Sequence, residues 1–198
     1  TNGISREQFD KLGGLETSHS GRLTVSYIGN VGLAQNLETF LQAAYALPEC
    51  DFRIIGAGTD FERIKNLADE MQLNNLLFTG RIPWDEVRAY YNSSDVLYAQ
   101  LTPAYSGAMP SKLYEYLATG KYVVYGGQHQ AAERLAEFEH NCVVPPCDAE
   151  ALVAALRKLA VEPDCKELHL GNRQKIERTY IREDAAERLA DAVVILLD

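Results

Sequence analysis

Six short apolar runs alternate with amphipathic stretches along most of this chain, and that alternation restricts the fold more than any other feature. The runs near residues 22–28, 51–56, 75–80, 95–100, 121–125 and 141–145 read as buried strands. Helical periods fall between them, near 37–47, 60–72, 84–92, 111–119 and 129–139. A strand that is followed by a helix and then another strand pairs in parallel, because the helix must carry the chain back before the next strand starts. The pattern therefore predicts an α/β fold, a Rossmann-like doubly wound parallel sheet of about six strands with helices on both faces. Three further helical stretches, near 148–160, 164–178 and 183–197, close the chain without strands between them. The apolar residues of the last, Leu189, Val193, Ile195 and Leu196, suit either ordinary core or packing against another domain. Residues 1–21, with Gly13-Gly14 and Ser18-His19-Ser20-Gly21, have loop composition and read as a linker ahead of one domain over 22–198.

Charge narrows the partners. Nineteen Lys and Arg against 28 Asp and Glu leave a formal charge of −9, which argues against a nucleic-acid surface and offers no broad cationic face to anionic lipid. Any anion site must be local. No apolar run reaches the roughly 20 residues that a membrane-spanning helix needs. Cys50, Cys142, Cys147 and Cys165 form no Cys-x-x-Cys pair, and His19, His129, His140 and His169 do not cluster with them, so free thiols in a reducing cytoplasm are expected and no metal site is.

The stretch Pro110-Ser111-Lys112-Leu113-Tyr114-Glu115-Tyr116-Leu117-Ala118-Thr119-Gly120 carries the most chemical information. Ser111 suits an N-cap and Gly120 suits the left-handed position after a helix, and Tyr122-Val123-Val124-Tyr125 then resumes as a strand. Free amides at Ser111 and Lys112, the helix dipole and the Lys112 ammonium would converge on one anion, with a diphosphate the usual occupant of such a place. The alternative is an i,i+3 ion pair between Lys112 and Glu115 on a solvated helix. Residues alone leave both open.

The same segment resembles the donor-binding helix of glycosyltransferase family 4, the group 1 retaining enzymes of GT-B architecture, in the branch that builds bacterial surface polysaccharides. Other segments match in order: Thr1-Asn2-Gly3-Ile4 resembles the turn into the family's second domain, and Val25-Ser26-Tyr27-Ile28-Gly29-Asn30 its first strand and glycine loop. Phe52-Arg53-Ile54-Ile55-Gly56-Ala57-Gly58 and Leu77-Phe78-Thr79-Gly80-Arg81-Ile82-Pro83 resemble the next two strand and loop units. The resemblance implies the C-terminal, donor-binding domain of such an enzyme. Its acceptor-binding N-terminal domain would be absent from the chain, which starts at Thr1 rather than at an initiator methionine.

The resemblance also implies roles. The loop with Gly29 and Gly32 would approach the donor diphosphate, and Gly56 would keep side chains away from it. Backbone groups at Arg81 and Ile82 would meet the nucleobase, Ser111, Lys112 and Leu113 would sit at the diphosphate, and Glu115 would accept both ribose hydroxyls. Two departures stand out. The family's basic pair in the first loop is replaced by Asn30 and Gln35, which makes Lys112, then Arg81, the candidates to balance the diphosphate. The family's first carboxylate is replaced by Gly107, with Tyr105 or Ser106 as candidate substitutes. Gly56-Ala57-Gly58 is not a dinucleotide fingerprint, since Phe61 stands where the third glycine belongs. Trp84, alone at a helix start, is more often packing than a base-stacking platform.

The implied function is binding of a nucleotide sugar, a UDP-sugar first among them, for a retaining transferase in polysaccharide or glycolipid synthesis. No cofactor is implied. The implied partners are the donor, the chain's own N-terminal domain and a sugar or lipid-linked sugar acceptor, with no nucleic acid, and peripheral contact at the inner face of the membrane would run through the other domain. Two rival readings remain: a non-catalytic sugar-nucleotide-binding module, and a domain of a GT-B-type sugar-nucleotide epimerase.

Overall fold

A computed structural model describes residues 3–17 and 21–187 of the chain. Thr1, Asn2, Ser18, His19 and Ser20 fall outside that set, as do Leu189, Val193, Ile195 and Leu196. The strands are β1 (Thr24–Ile28), β2 (Asp51–Ile55), β3 (Leu76–Gly80), β4 (Val96–Gln100), β5 (Tyr122–Gly126) and β6 (Asn141–Val144). They form a six-stranded sheet in the order β3-β2-β1-β4-β5-β6, and every pairing is parallel. Around it lie α1 (Arg6–Lys11), α2 (Glu38–Ala46), α3 (Phe61–Glu70), α4 (Trp84–Asn92), α5 (Ser111–Thr119), α6 (His129–Leu135), α7 (Ala149–Val161) and α8 (Leu170–Thr179). The Rossmann-like sheet expected from the alternation is the one observed.

Period-two burial divides the interior into two layers. Val25, Tyr27, Phe52, Ile54, Tyr98 and Val124 point to one face, where α2, α3 and α7 bring Phe40, Ile64 and Leu156. Ile28, Ile55, Leu97, Ala99 and Val123 point to the other, where α1, α4, α5, α6 and α8 bring Phe9, Tyr91, Leu117, Leu135 and Ile176. β1, β4 and β5 are buried along nearly their whole length, so the few polar residues they carry are taken up internally, as when Ser26 accepts from the Ser94 hydroxyl.

Four local expectations need correction. The loop-like start of the chain contains α1, capped by Ser5, whose side chain accepts the Gln8 amide, and its Phe9 and Leu12 are buried. Long-range contacts make that short helix stable: the Arg173 guanidinium on α8 donates to the carbonyls of Phe9, Leu12 and Ala118 and lies 3.9 Å from the Phe9 ring centroid. Second, α6 stops at Leu135 rather than near 139, because the Asn141 side-chain amide takes up the carbonyls of Leu135, Phe138 and Glu139. Third, the helix expected over 164–178 is a 3-10 turn, Pro163–Lys166, and then α8, with the His169 amide tied at 2.8 Å to the Gly120 carbonyl between them. Fourth, Ser111 is the first residue inside α5 and Pro110 is its N-cap. The Pro110 carbonyl accepts the Leu113 amide, so the helix starts one residue earlier than a serine cap would place it.

Candidate functional site

Strand order reverses between β1 and β4, so the loops leaving β1 and its neighbours diverge from α5 and leave a crevice at the carboxyl edge. Three glycine-bearing turns line up on one side of it. The Gly29 amide donates to the Ile55 carbonyl at 2.8 Å, Val31 to Ala57 at 3.0 Å, and Gly56 to Gly80 at 3.0 Å, so the loops continue the sheet's bonding beyond its strands. The fit between them leaves no space for side chains. A Cβ on Gly56 would lie 2.0 Å from the Gly29 carbonyl oxygen, and one on Gly58 2.1 Å from that of Val31. Gly56 also has φ +137°, which only glycine adopts readily. The glycines of this loop therefore serve backbone packing between two turns, a reason that the sequence did not disclose.

On the other side stands the start of α5. Its first turn has no side-chain cap and no acidic residue, so its amides face the crevice without a built-in counter-charge. Tyr116, one turn further, is fully buried, and its hydroxyl both accepts from the Ile28 amide and donates to the Ile28 carbonyl, each at 2.8 Å. That double bond to the end of β1 fixes how far α5 lies from the first glycine loop.

The cavity between these walls has a volume of about 400 Å³. Gly29, Asn30, Gly56, Arg81, Ile82, Ser111, Lys112 and Glu115 line it, together with Ile28, Ile55, Ala57, Trp84 and Val87. Eight of the eleven residues singled out in sequence thus converge on one space. The other three do not line it. Gly32 is buried, Gln35 turns its Oε1 back to accept the Gly32 amide at 3.1 Å, and Leu113 is fully buried in the core. Neither Tyr105 nor Ser106 lines the cavity, and Gly107 is exposed with open space where a Cβ would be. Trp84 does both things open to it: it lines the cavity and packs edge-on against Tyr91 at 6.4 Å.

Lys112 and Glu115 are not an ion pair. The Lys112 ammonium runs under Gly29, donates to the Tyr27 hydroxyl and lies 4.0 Å from the Tyr27 ring centroid. The Tyr27 hydroxyl in turn donates to the Asn30 carbonyl. Burial brings the ammonium down to about 7, against the upward pull of Glu115. The Glu115 carboxyl is raised from its ordinary value by burial, which the Tyr91 hydrogen bond and the charges of Lys112 and Arg182 only partly oppose. One of its oxygens accepts from Gln8 Nε2 at 3.4 Å and the other from the Tyr91 hydroxyl at 3.3 Å. Sequence reading missed both of these partners; Tyr91 could have been suspected from its place on the helix after Arg81 and Ile82, whereas nothing local pointed to Gln8.

A polar groove of about 350 Å³ near the amino ends of the strands is less suited to a ligand. Its Asn75 amide is spent on the carbonyls of Ala44, Leu47 and Cys50, and Arg22 is paired with Asp51 at 3.0 Å. Among the described residues no helix is long and apolar enough to cross a membrane.

A parallel sheet with an uncapped helix and close-packed glycine turns at its switch point defines a Rossmann-like α/β domain of the kind that GT-B proteins carry in pairs. The chain belongs to the glycosyl transferases group 1, whose family model matches residues 16–177. Over 180 residues it is 28% identical to WcaI of Escherichia coli K12, which is named as a colanic acid biosynthesis glycosyl transferase, covering 85% of this chain and 42% of that protein. Sucrose-phosphate synthase from Thermosynechococcus elongatus has the same fold, with a TM-score of 0.78 at 20% identity over 98% of this chain and 51% of that one. HepE of Anabaena, solved with UDP and glucose, gives a TM-score of 0.71 at 15% identity over 96% of this chain and 53% of that one. The chain spans about half the length of each of these three proteins.

Proposed function

We propose that the chain is the donor-binding domain of a retaining glycosyltransferase that uses a UDP-sugar in polysaccharide or glycolipid synthesis. The observation that carries this reading is the convergence of Gly29, Asn30, Arg81, Ile82, Ser111, Lys112 and Glu115 on one cavity at the switch point of the sheet. In this arrangement the first amides of α5 and the Lys112 ammonium take the diphosphate, and Glu115 takes the ribose hydroxyls through charge-assisted bonds. Arg81 and Ile82 meet the base. The UDP held by HepE supports the choice of nucleotide. The acceptor site, and the closure that completes the reaction, fall to a second domain of the full-length protein, so residues 1–198 alone bind nucleotide weakly and transfer no sugar.

Titration of the chain with UDP, GDP and ADP, read by calorimetry, tests the reading. A preference for UDP is expected. Glu115→Gln keeps the shape but removes the charge, and should weaken UDP by roughly ten- to a hundredfold, since hydrogen bonds to a charged group contribute about 1.5–3 kcal/mol. Unchanged affinity in a folded Glu115→Gln variant would remove Glu115 from the ligand.

Two departures favour a second reading, a binding module without catalysis. Asn30 and Gln35 are neutral at the two positions where the family resemblance implies basic residues, and Gly107, with open space where a Cβ would be, stands where it implies a first carboxylate, a loss that also fits the polysaccharide-building branch. A transfer assay on the full-length protein separates the two readings.

A further inference from the structure

We propose that Gln8, on the helix at the start of the chain, is a positioning residue for Glu115 and makes α1 a working part of the ribose subsite. The inference rests on the donor-site reading above and extends it to a segment whose composition suggested only a loop.

Glu115 is half-buried, and a carboxylate in that setting binds hydroxyls well only if it stays ionised and keeps one orientation. Each of its oxygens has one protein donor, Gln8 Nε2 on the first and the Tyr91 hydroxyl on the second. A carboxylate has about four lone-pair sites, so two donors leave one site on each oxygen for a pair of vicinal ligand hydroxyls. The charged and titratable groups around it are Lys112 on its own helix, Tyr91 on α4 and Arg182 beyond α8.

Gln8 cannot turn its amide the other way. Its Oε1 accepts from the Ser5 hydroxyl at 3.0 Å and from Arg182 Nη2 at 3.2 Å, which commits the amino group to Glu115. A flipped amide would set a carbonyl against the carboxylate and an amino group against a guanidinium. The backbone beneath is equally committed: the Ser5 hydroxyl accepts the Gln8 amide at 3.2 Å, and Ile4 pairs with Tyr180 and Arg182 at 3.0 Å. The ribose carboxylate is thereby oriented by two segments 174 residues apart, α1 and the strand-like bridge after α8.

The test compares UDP with 2′,3′-dideoxy-UDP, which keeps base and diphosphate but offers Glu115 no hydroxyl. Gln8→Met retains length and loses the amide. It should weaken UDP by about three- to tenfold and leave the dideoxy ligand unchanged. Arg182→Met, at an exposed position, frees the amide oxygen and should give a smaller loss with the same selectivity; it reads the proposal even if Gln8→Met does not fold. A role in packing alone would weaken both ligands equally, and that result, or no change in either, overturns the proposal. If the wild-type chain itself binds UDP no more tightly than the dideoxy ligand, the donor-site reading fails first and the role of Gln8 fails with it.

Discussion

The Tyr116 hydroxyl holds both the amide and the carbonyl of Ile28, each at 2.8 Å, and so ties α5 to the last residue of β1. Both partners are buried, and a phenylalanine at 116 would leave two backbone groups unpaired away from water. Tyr116→Phe should therefore lower stability by about 2–4 kcal/mol. Denaturant unfolding measures that loss. A change below about 0.5 kcal/mol would mean that water replaces the hydroxyl, and that α5 is positioned by apolar packing alone.

Gly56 faces a harder limit. With φ +137° and a Cβ that would sit 2.0 Å from the Gly29 carbonyl oxygen, Gly56→Ala must move one of two glycine turns. Strain and overpacking together should cost about 2–5 kcal/mol, which lowers Tm by roughly 4–20 °C in a chain of this size. Gly80→Ala is the control: it shares the positive φ, but its Cβ would meet nothing within 4 Å, so a smaller loss is expected there. Equal losses at both sites would make backbone conformation, rather than contact between the turns, the controlling factor.

Under the proposed function, Lys112 would link donor binding to pH. Burial places the free protein's ammonium near 7, and a bound diphosphate would raise it, so binding above that pH takes up a proton. The sign follows: UDP affinity falls as pH rises from about 7 towards the higher value in the complex, whereas the terminal phosphate, with a pKa of about 6, has by then largely finished its own ionisation. Calorimetry in buffers of different ionisation enthalpy should find proton uptake with UDP and none with uridine. Lys112→Ala should abolish that uptake and weaken UDP by about ten- to a hundredfold while sparing uridine. Asn30→Arg, inside the cavity, should restore part of the loss. Gln35→Lys should not, because Gln35 lies outside the cavity and its side chain caps Gly32. Equal losses for uridine and UDP would contradict the assignment of Lys112 to the diphosphate.

Acid sensitivity has a different source. Burial holds the His140 imidazole below its ordinary value, and the stacked His169 ring, 6.0 Å away, adds to the effect despite the opposing backbone carbonyls of Glu167 and Cys165. A base whose folded pKa is depressed stabilises the fold fully above its unfolded value of about 6.5, and that contribution is lost as pH falls through the folded value. Tm should drop between about pH 7 and pH 5. His140 has φ +57°, a conformation that asparagine tolerates, so His140→Asn should flatten the profile without breaking the turn. An unchanged slope in that variant would assign the acid loss to other groups.

The sheet was legible because its cause is local and repeated. Each apolar run and each helical period reports which faces are buried, and repeated alternation of strand and helix points to a parallel sheet, whereas the strand order β3-β2-β1-β4-β5-β6 is known from the structure alone. The α5 segment was legible for a similar reason: Glu115 and Gly120 set a carboxylate one turn in and a left-handed stop, with Gly120 at φ +75°, although the cap expected at Ser111 falls on Pro110. What sequence could not decide was where long side chains go. Lys112 could as well have paired with Glu115, three residues on, but the close pass of Gly29 and the Tyr27 hydroxyl draws it under the first loop. Gln35 occupies a position that the family resemblance assigned to the donor, yet its side chain closes on Gly32. α1 fell in a glycine-bearing stretch with loop composition, and contacts from segments more than 160 residues away, those of Arg173 and of the Ile4 pairing with Tyr180 and Arg182 among them, make it a packed helix that can deliver Gln8 to Glu115. Periodicity fixes burial one residue at a time, whereas the direction of a polar side chain depends on partners that tertiary structure brings together, and those partners leave no trace in local spacing.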